Sequence, residues 1–120
     1  DEIAQERVLQ NPESNRQVIV SSGDVLCYDA FSGRYFTSSM ESLKGAQNAT
    51  NYEILHNVYA SLSDYYGNVG LPKTDLSDEV GWTSDKLLEL DFSTVMSEDG
   101  KPCISVSFMV KPVRDYYKLL

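Results

Sequence analysis

Nine residues, Tyr28-Asp29-Ala30-Phe31-Ser32-Gly33-Arg34-Tyr35-Phe36, combine four aromatic rings, a carboxylate and an arginine around a turn. An arginine flanked by aromatics is the composition of interface hot spots. Tyr28, Asp29, Arg34 and Tyr35 are therefore candidate contact residues, the alternative for Arg34 being a bridge to Asp29 across the hairpin. Glu89 and Asp91 are a second candidate pair. Two positions apart on a strand, they point to the same side at roughly 6–7 Å, a spacing that suits paired-carboxylate chemistry. Their alternation with Leu88, Leu90 and Phe92 explains both as the solvent face, and they are carried forward as contact residues.

Other reactive types lack partners. His56 is the single histidine, and no residues at triad or zinc spacing accompany it. Cys27 and Cys103 lie far apart in apolar runs without paired CxxC spacing. They read as buried free thiols, with a bridge between neighbouring strands left open. Asp75, Asp78 and Glu79 lack the alternation and central glycine of a calcium loop and read as acids at a helix start. Leu71-Pro72-Lys73-Thr74-Asp75 approaches a wall-sorting signal, but Asp75 stands where glycine is required. Gly23, Gly33 and Gly100 read as turns and form no phosphate loop. The expectation is a chain that is not an enzyme, with no catalytic residues, no metal and no cofactor.

At 120 residues and a net charge of −8, the chain is the size of one acidic domain. Such charge repels phosphate backbones, so no direct nucleic-acid binding is expected. The acidity concentrates in Asp75, Asp78, Glu79, Asp85, Glu89, Asp91, Glu98 and Asp99, set against Lys86 alone within that span. This reads as a solvated surface, or as an acidic face that docks on a basic partner. Nothing approaches the ~20 consecutive apolar residues of a membrane helix. The chain begins at Asp1 rather than methionine, which reads as a fragment or a processed product.

Several elements are predicted to position these residues. A helix is expected over Asp1 to Gln10, stopped by Asn11-Pro12, with a polar linker to Arg16. Gln17–Ser21, Val25–Tyr28 and Arg34–Thr37 read as three strands of an antiparallel meander. A helix then starts at Ser38 or Ser39, with Met40, Leu43, Ala46, Thr50, Ile54 and Leu55 on its inner face. Gly45 and Asn48 to Asn51 weaken its middle. Ser61 to Asp64 forms a capping box for a short helix ending near Gly67 to Gly70. Thr74 caps another that closes at Gly81, and Trp82 reads as a core anchor. Tyr65-Tyr66 is expected to split, one ring inward and one outward. Leu88–Phe92 and Ile104–Val110 form a hairpin through Glu98-Asp99-Gly100. The fold class is α+β: a small antiparallel sheet, made of the N-terminal meander plus the C-terminal hairpin, with helices in the middle packing on one face. Residues 1–16 form a helical and linker lead-in, and 17–120 a single soluble domain.

A set of ordered fragments carries a resemblance. They are Leu26-Cys27-Tyr28-Asp29, Ser32-Gly33-Arg34-Tyr35-Phe36, Tyr59-Ala60-Ser61-Leu62-Ser63-Asp64-Tyr65-Tyr66, Val69-Gly70-Leu71-Pro72, Gly81-Trp82, Glu89-Leu90-Asp91-Phe92-Ser93 and Glu98-Asp99-Gly100-Lys101-Pro102-Cys103. In order and spacing this set, spanning about Gln17 to Tyr116, resembles a family of uncharacterised proteins encoded by bacteriophages and prophages. The resemblance implies N-terminal membrane segments, a charged helix and a soluble C-terminal domain, which this chain would be. It departs at Gly45 to Asn51, where Asn, Ala and Thr replace a charged helical stretch. It implies no activity. The expected function is a non-enzymatic protein-interaction domain, the soluble part of a membrane-anchored protein on the cytoplasmic side in a bacterial host. Its partner would be a host or phage protein, or a second copy, with membrane contact only through segments outside this chain. The alternative is an acidic inhibitor of a basic, nucleic-acid-binding host protein.

Overall fold

A computed structural model describes residues 8–11, 16–21 and 23–118. Strands β1 (Val8–Asn11), β2 (Arg16–Ile19), β3 (Val25–Asp29) and β4 (Arg34–Ser38) come first. Helix α1 (Met40–Asn57), strand β5 (Tyr59–Ser61) and helix α2 (Leu62–Val69) follow. A 3-10 turn (Leu76–Asp78), β6 (Val80–Thr83), β7 (Leu90–Met96), β8 (Pro102–Phe108), β9 (Val113–Arg114) and a second 3-10 turn (Tyr116–Lys118) complete the order. The class is α+β, with the helices in the middle of the chain.

The large sheet runs β1-β2-β4-β3-β8-β7, and β5-β6-β9 form a small one. The N-terminal strands are not a meander: β2 skips β3 and lies parallel to β4, with Val18 opposite Tyr35. The large sheet is therefore mixed, since β3 and β8 are also parallel, with Cys27 opposite Ile104. The C-terminal hairpin is antiparallel as expected, from Leu90 opposite Phe108 to Met96 opposite Pro102. Val8–Asn11, expected as helix, pairs instead with Arg16–Ile19. The remainder of that expected helix, residues 1–7, lies outside the described residues.

Ser39 caps α1 by accepting from the Ser42 amide at 3.1 Å. Leu43, Ala46, Thr50 and Ile54 are its buried stripe, and the helix runs unbroken through Gly45 and Asn48–Asn51. The amide side chains there have a task. Asn51 Nδ2 donates to the Leu88 carbonyl and Oδ1 accepts from the Leu88 amide, both at 2.9 Å. One turn earlier, Gln47 Oε1 accepts from the Leu90 amide at 2.8 Å. Leu55, expected inside, is 64% exposed.

Ser61 and Asp64 form the expected capping box of α2, and Gly70 closes that helix at φ 95°. Gly81 does not close a helix. It sits inside β6 opposite Ser61, and a Cβ there would meet the Ala60 carbonyl oxygen and the Ser61 Cα, the latter at 2.9 Å. Only hydrogen fits between these backbones. One core unites the layers: Ile19, Phe36, Val106 and Phe108 from the large sheet, Leu43 and Ile54 from α1, Tyr65 and Tyr66 from α2, and Trp82 from β6. Trp82 sits edge-on to Phe108 at 5.4 Å and donates from Nε1 to the Val110 carbonyl at 2.8 Å, the core anchor its sequence position suggests.

Gly81→Ala is expected to destabilise the fold by about 1–3 kcal/mol, since the added methyl meets backbone rather than a movable side chain. Urea denaturation followed by Trp82 fluorescence measures it.

Candidate functional site

Strand alternation divides the aromatic-arginine cluster. Tyr28 pairs with Tyr35, and Asp29 with Arg34. The two tyrosines lie half-buried on one face of the sheet, their rings 4.9 Å apart. Asp29 turns the other way and is 2% exposed. It is therefore not a surface contact residue, and the four do not make one patch.

Asp29 organises a buried network instead. Its Oδ2 accepts from the Ser32 amide at 3.1 Å, from Ser32 Oγ, and from the Tyr66 hydroxyl at 2.7 Å. The first two bonds fold Ala30–Gly33 into a turn, which Gly33 completes at φ 73°. Arg34 reaches Asp29 only through Ser32, donating from Nε to Oγ at 2.8 Å. Its Nη1 donates to the Pro72 carbonyl at 2.7 Å, and its guanidinium lies over the Tyr66 ring at 4.9 Å. Nη2 is buried without a hydrogen-bond partner among the described residues. General-base work needs a lone pair turned toward a substrate. Here three donors converge on one carboxylate oxygen, and the arrangement clamps the β3–β4 turn to α2.

The phenols beside that carboxylate resist ionisation. Burial, and then the Asp29 charge, raise both Tyr65 and Tyr66 well above the ordinary tyrosine value. Both rings are buried, so the expected split between them does not occur. Burial also pushes the Cys27 thiol from 9.0 to about 11, with the nearby Cys103 adding to the effect. Both cysteines are buried, and no disulfide joins them. The β3–β8 register sets Cys27 opposite Ile104, with Cys103 one position before it on β8.

Glu89 and Asp91 are exposed. Other members of the acidic run are engaged: Asp78 pairs with Lys73 at 3.3 Å and Glu79 with Arg114 at 3.0 Å. The Ser63 hydroxyl, more than Lys73, holds the Asp78 carboxyl below its ordinary value. His56 is exposed in the last turn of α1, stacked on Tyr52 at 4.0 Å. Among the described residues, one open cleft of about 400 Å³ is lined by Phe31, Phe108 and Lys111, and another of about 380 Å³ by Leu71, Pro72 and Lys73.

A surface that sequence reasoning missed lies at the end of α1. Tyr52 (62% exposed), Leu55 (64%) and Tyr59 are exposed, and so is Val58 (44%). Tyr52 and Leu55 share one helical face, a signal hidden because Leu55 follows the buried Ile54, and Tyr59 lies beyond the helix at the start of β5. Val58 ends the helix at φ 77°, a left-handed conformation that costs a β-branched residue ~1–2 kcal/mol. Tyr59 continues the strip edge-on to Tyr116 at 5.4 Å, and Tyr116 to the exposed Tyr117 at 5.3 Å.

A family model described as Family of unknown function (DUF6353) matches residues 1–117. The chain belongs to that family. No curated protein and no solved structure matches it. For this DUF6353 protein the geometry of its surfaces carries the functional argument.

Removing the Tyr66 hydroxyl (Tyr66→Phe) is expected to cost about 1.5–3 kcal/mol, the worth of a hydrogen bond to a charged group, read from the shift in urea midpoint. The pH dependence follows from the raised groups. Cys27, Tyr65 and Tyr66 ionise more easily unfolded than folded, so the stability they add is complete below about pH 9 and is lost as pH rises past it. Urea midpoints at about pH 8 and about pH 10.5 are expected to differ, the alkaline one lower.

Proposed function

We propose that this chain is a protein-interaction domain without catalytic activity, phage- or prophage-derived, and the soluble part of a membrane-anchored protein in a bacterial host. The observation that carries the interaction role is Val58. A strained, exposed, β-branched residue sits where glycine would relieve the strain, inside an exposed strip of Tyr52, Leu55 and Tyr59. Backbone strain of this kind persists where a specific side chain is needed, and exposed apolar strips mark contact surfaces. Aromatics that present a large rigid area suit such contacts. The ordered fragments from Leu26-Cys27-Tyr28-Asp29 to Gly100-Lys101-Pro102-Cys103 support the phage or prophage origin and the anchor.

Two variants test the interaction role. Tyr52→Glu with Leu55→Glu is expected to leave stability within about 0.5 kcal/mol and to remove the proteins retained by the wild-type chain in affinity capture from lysogenic cells. Val58→Gly is expected to stabilise the fold by about 1 kcal/mol while weakening the same capture. Identical retained proteins in all three chains would reject the reading. Flotation of the full-length product with lipid vesicles tests the anchor, and a product that stays in the dense fraction rejects it.

A further inference from the structure

The pairing of β3 with β8 stops short of the end of β8. The Ala30 amide donates to the Val106 carbonyl at 3.0 Å, and the chain then turns back through Gly33 into β4. Phe108, further along β8, turns its amide to the same side as Val106. Two bonds fix that direction. The Leu90 amide, opposite Phe108, goes to Gln47 Oε1 and away from β8, while the Met109 amide goes to the Glu89 carbonyl at 2.8 Å. Antiparallel partners alternate between hydrogen-bonded and non-bonded pairs, so the Phe108 amide makes no bond to β7. It points to the flank that β3 has just left, and no described residue accepts from it.

The cleft of about 400 Å³ lies there, lined by Ala30, Phe31, Ser107, Phe108 and Lys111. Small-ligand sites typically measure about 300–1,000 Å³. Two of its walls are aromatic: Phe31, 40% exposed, meets Phe108 edge-on at 5.8 Å. Lys111 supplies a positive charge and forms no ion pair among the described residues. Both walls are held in place by the protein itself. Asp29 pins the turn that carries Phe31 through the Ser32 amide and hydroxyl. On the other side Trp82 Nε1 holds the Val110 carbonyl, and Pro112 stiffens the chain just after Lys111.

We infer that this cleft binds a small aromatic monocarboxylate, its ring against Phe31 and Phe108 and its carboxylate accepting from the Phe108 amide beside the Lys111 ammonium. An open N–H and a cation are the groups a carboxylate needs, and two rings set edge to face suit a third aromatic. One negative charge fits better than two, because a chain of net charge −8 repels a dianion such as phosphate more strongly. The site uses the β3–β4 turn and the end of β8, so it stands whether or not the α1 strip binds a protein.

Phenylacetate is the probe, titrated into the intact chain and followed by backbone amide chemical shifts. The Phe108 amide resonance is expected to move on saturation. Phenylacetamide, of the same shape without the charge, is expected to bind about tenfold more weakly or worse, the loss of a charge-assisted bond. Lys111→Gln is expected to weaken phenylacetate binding by about tenfold and to leave the urea midpoint unchanged, since the side chain is exposed. Phe31→Ala is expected to weaken the acid and the amide alike, because both lose the same wall. Absence of binding at millimolar probe, equal affinity for acid and amide, full binding by Lys111→Gln, or shifts confined to residues outside the cleft overturns the inference. So does inorganic phosphate that binds there more tightly than phenylacetate.

Discussion

A carboxylate sealed from water must have its charge answered on the spot, because moving an unpaired ion inside costs several kcal/mol. Asp29 is in that position, and much of the molecule is arranged around it. Ser32 folds back to it, Tyr66 of α2 points its hydroxyl at it, and Arg34 brings Pro72 in from the far end of that helix. The same aspartate belongs to β3, the strand held between β4 and β8. One charge thus ties the middle of the large sheet to the helical layer and fixes the height at which α2 rides above it.

The second layer of organisation is borrowed pairing. A helix cannot continue a sheet, yet Asn51 presents an amide to Leu88 as a neighbouring strand would, and Gln47 repeats this at Leu90. Within the stretch from Gly45 to Asn51, poor for helix formation by local preference, Gln47 and Asn51 reach the backbone of Leu88 and Leu90. Local propensity gives way to a tertiary requirement.

Most local elements were legible: the Ser39 cap, the Ser61–Asp64 box, the Gly33 turn and the β7–β8 hairpin all rest on interactions within a few residues. The small sheet was not, because β5 and β9 are too short for alternation to register and Gly81 reads as punctuation. The parallel pairings β2–β4 and β3–β8 were not either, since strand order depends on contacts distant in sequence. The turn cluster was recognised as special, but alternation around Tyr28 and Asp29 sends their side chains to opposite faces of the sheet, so the four residues do not form one patch. The α1 strip was masked by a single stripe drawn through Ile54 and Leu55, neighbours that a helix sets about 100° apart.

The pairing of Cys27 with Ile104 also has a consequence for synthesis. A chain emerging from the ribosome exposes β3 well before β8, since both helices and strands β4 to β7 must be made in between. Until then β3 presents a naked flank whose neighbour does not yet exist. That interval is the stage at which β3 is most open to sticking to its own kind, and the arrival of β8, rather than local collapse, ends the exposure.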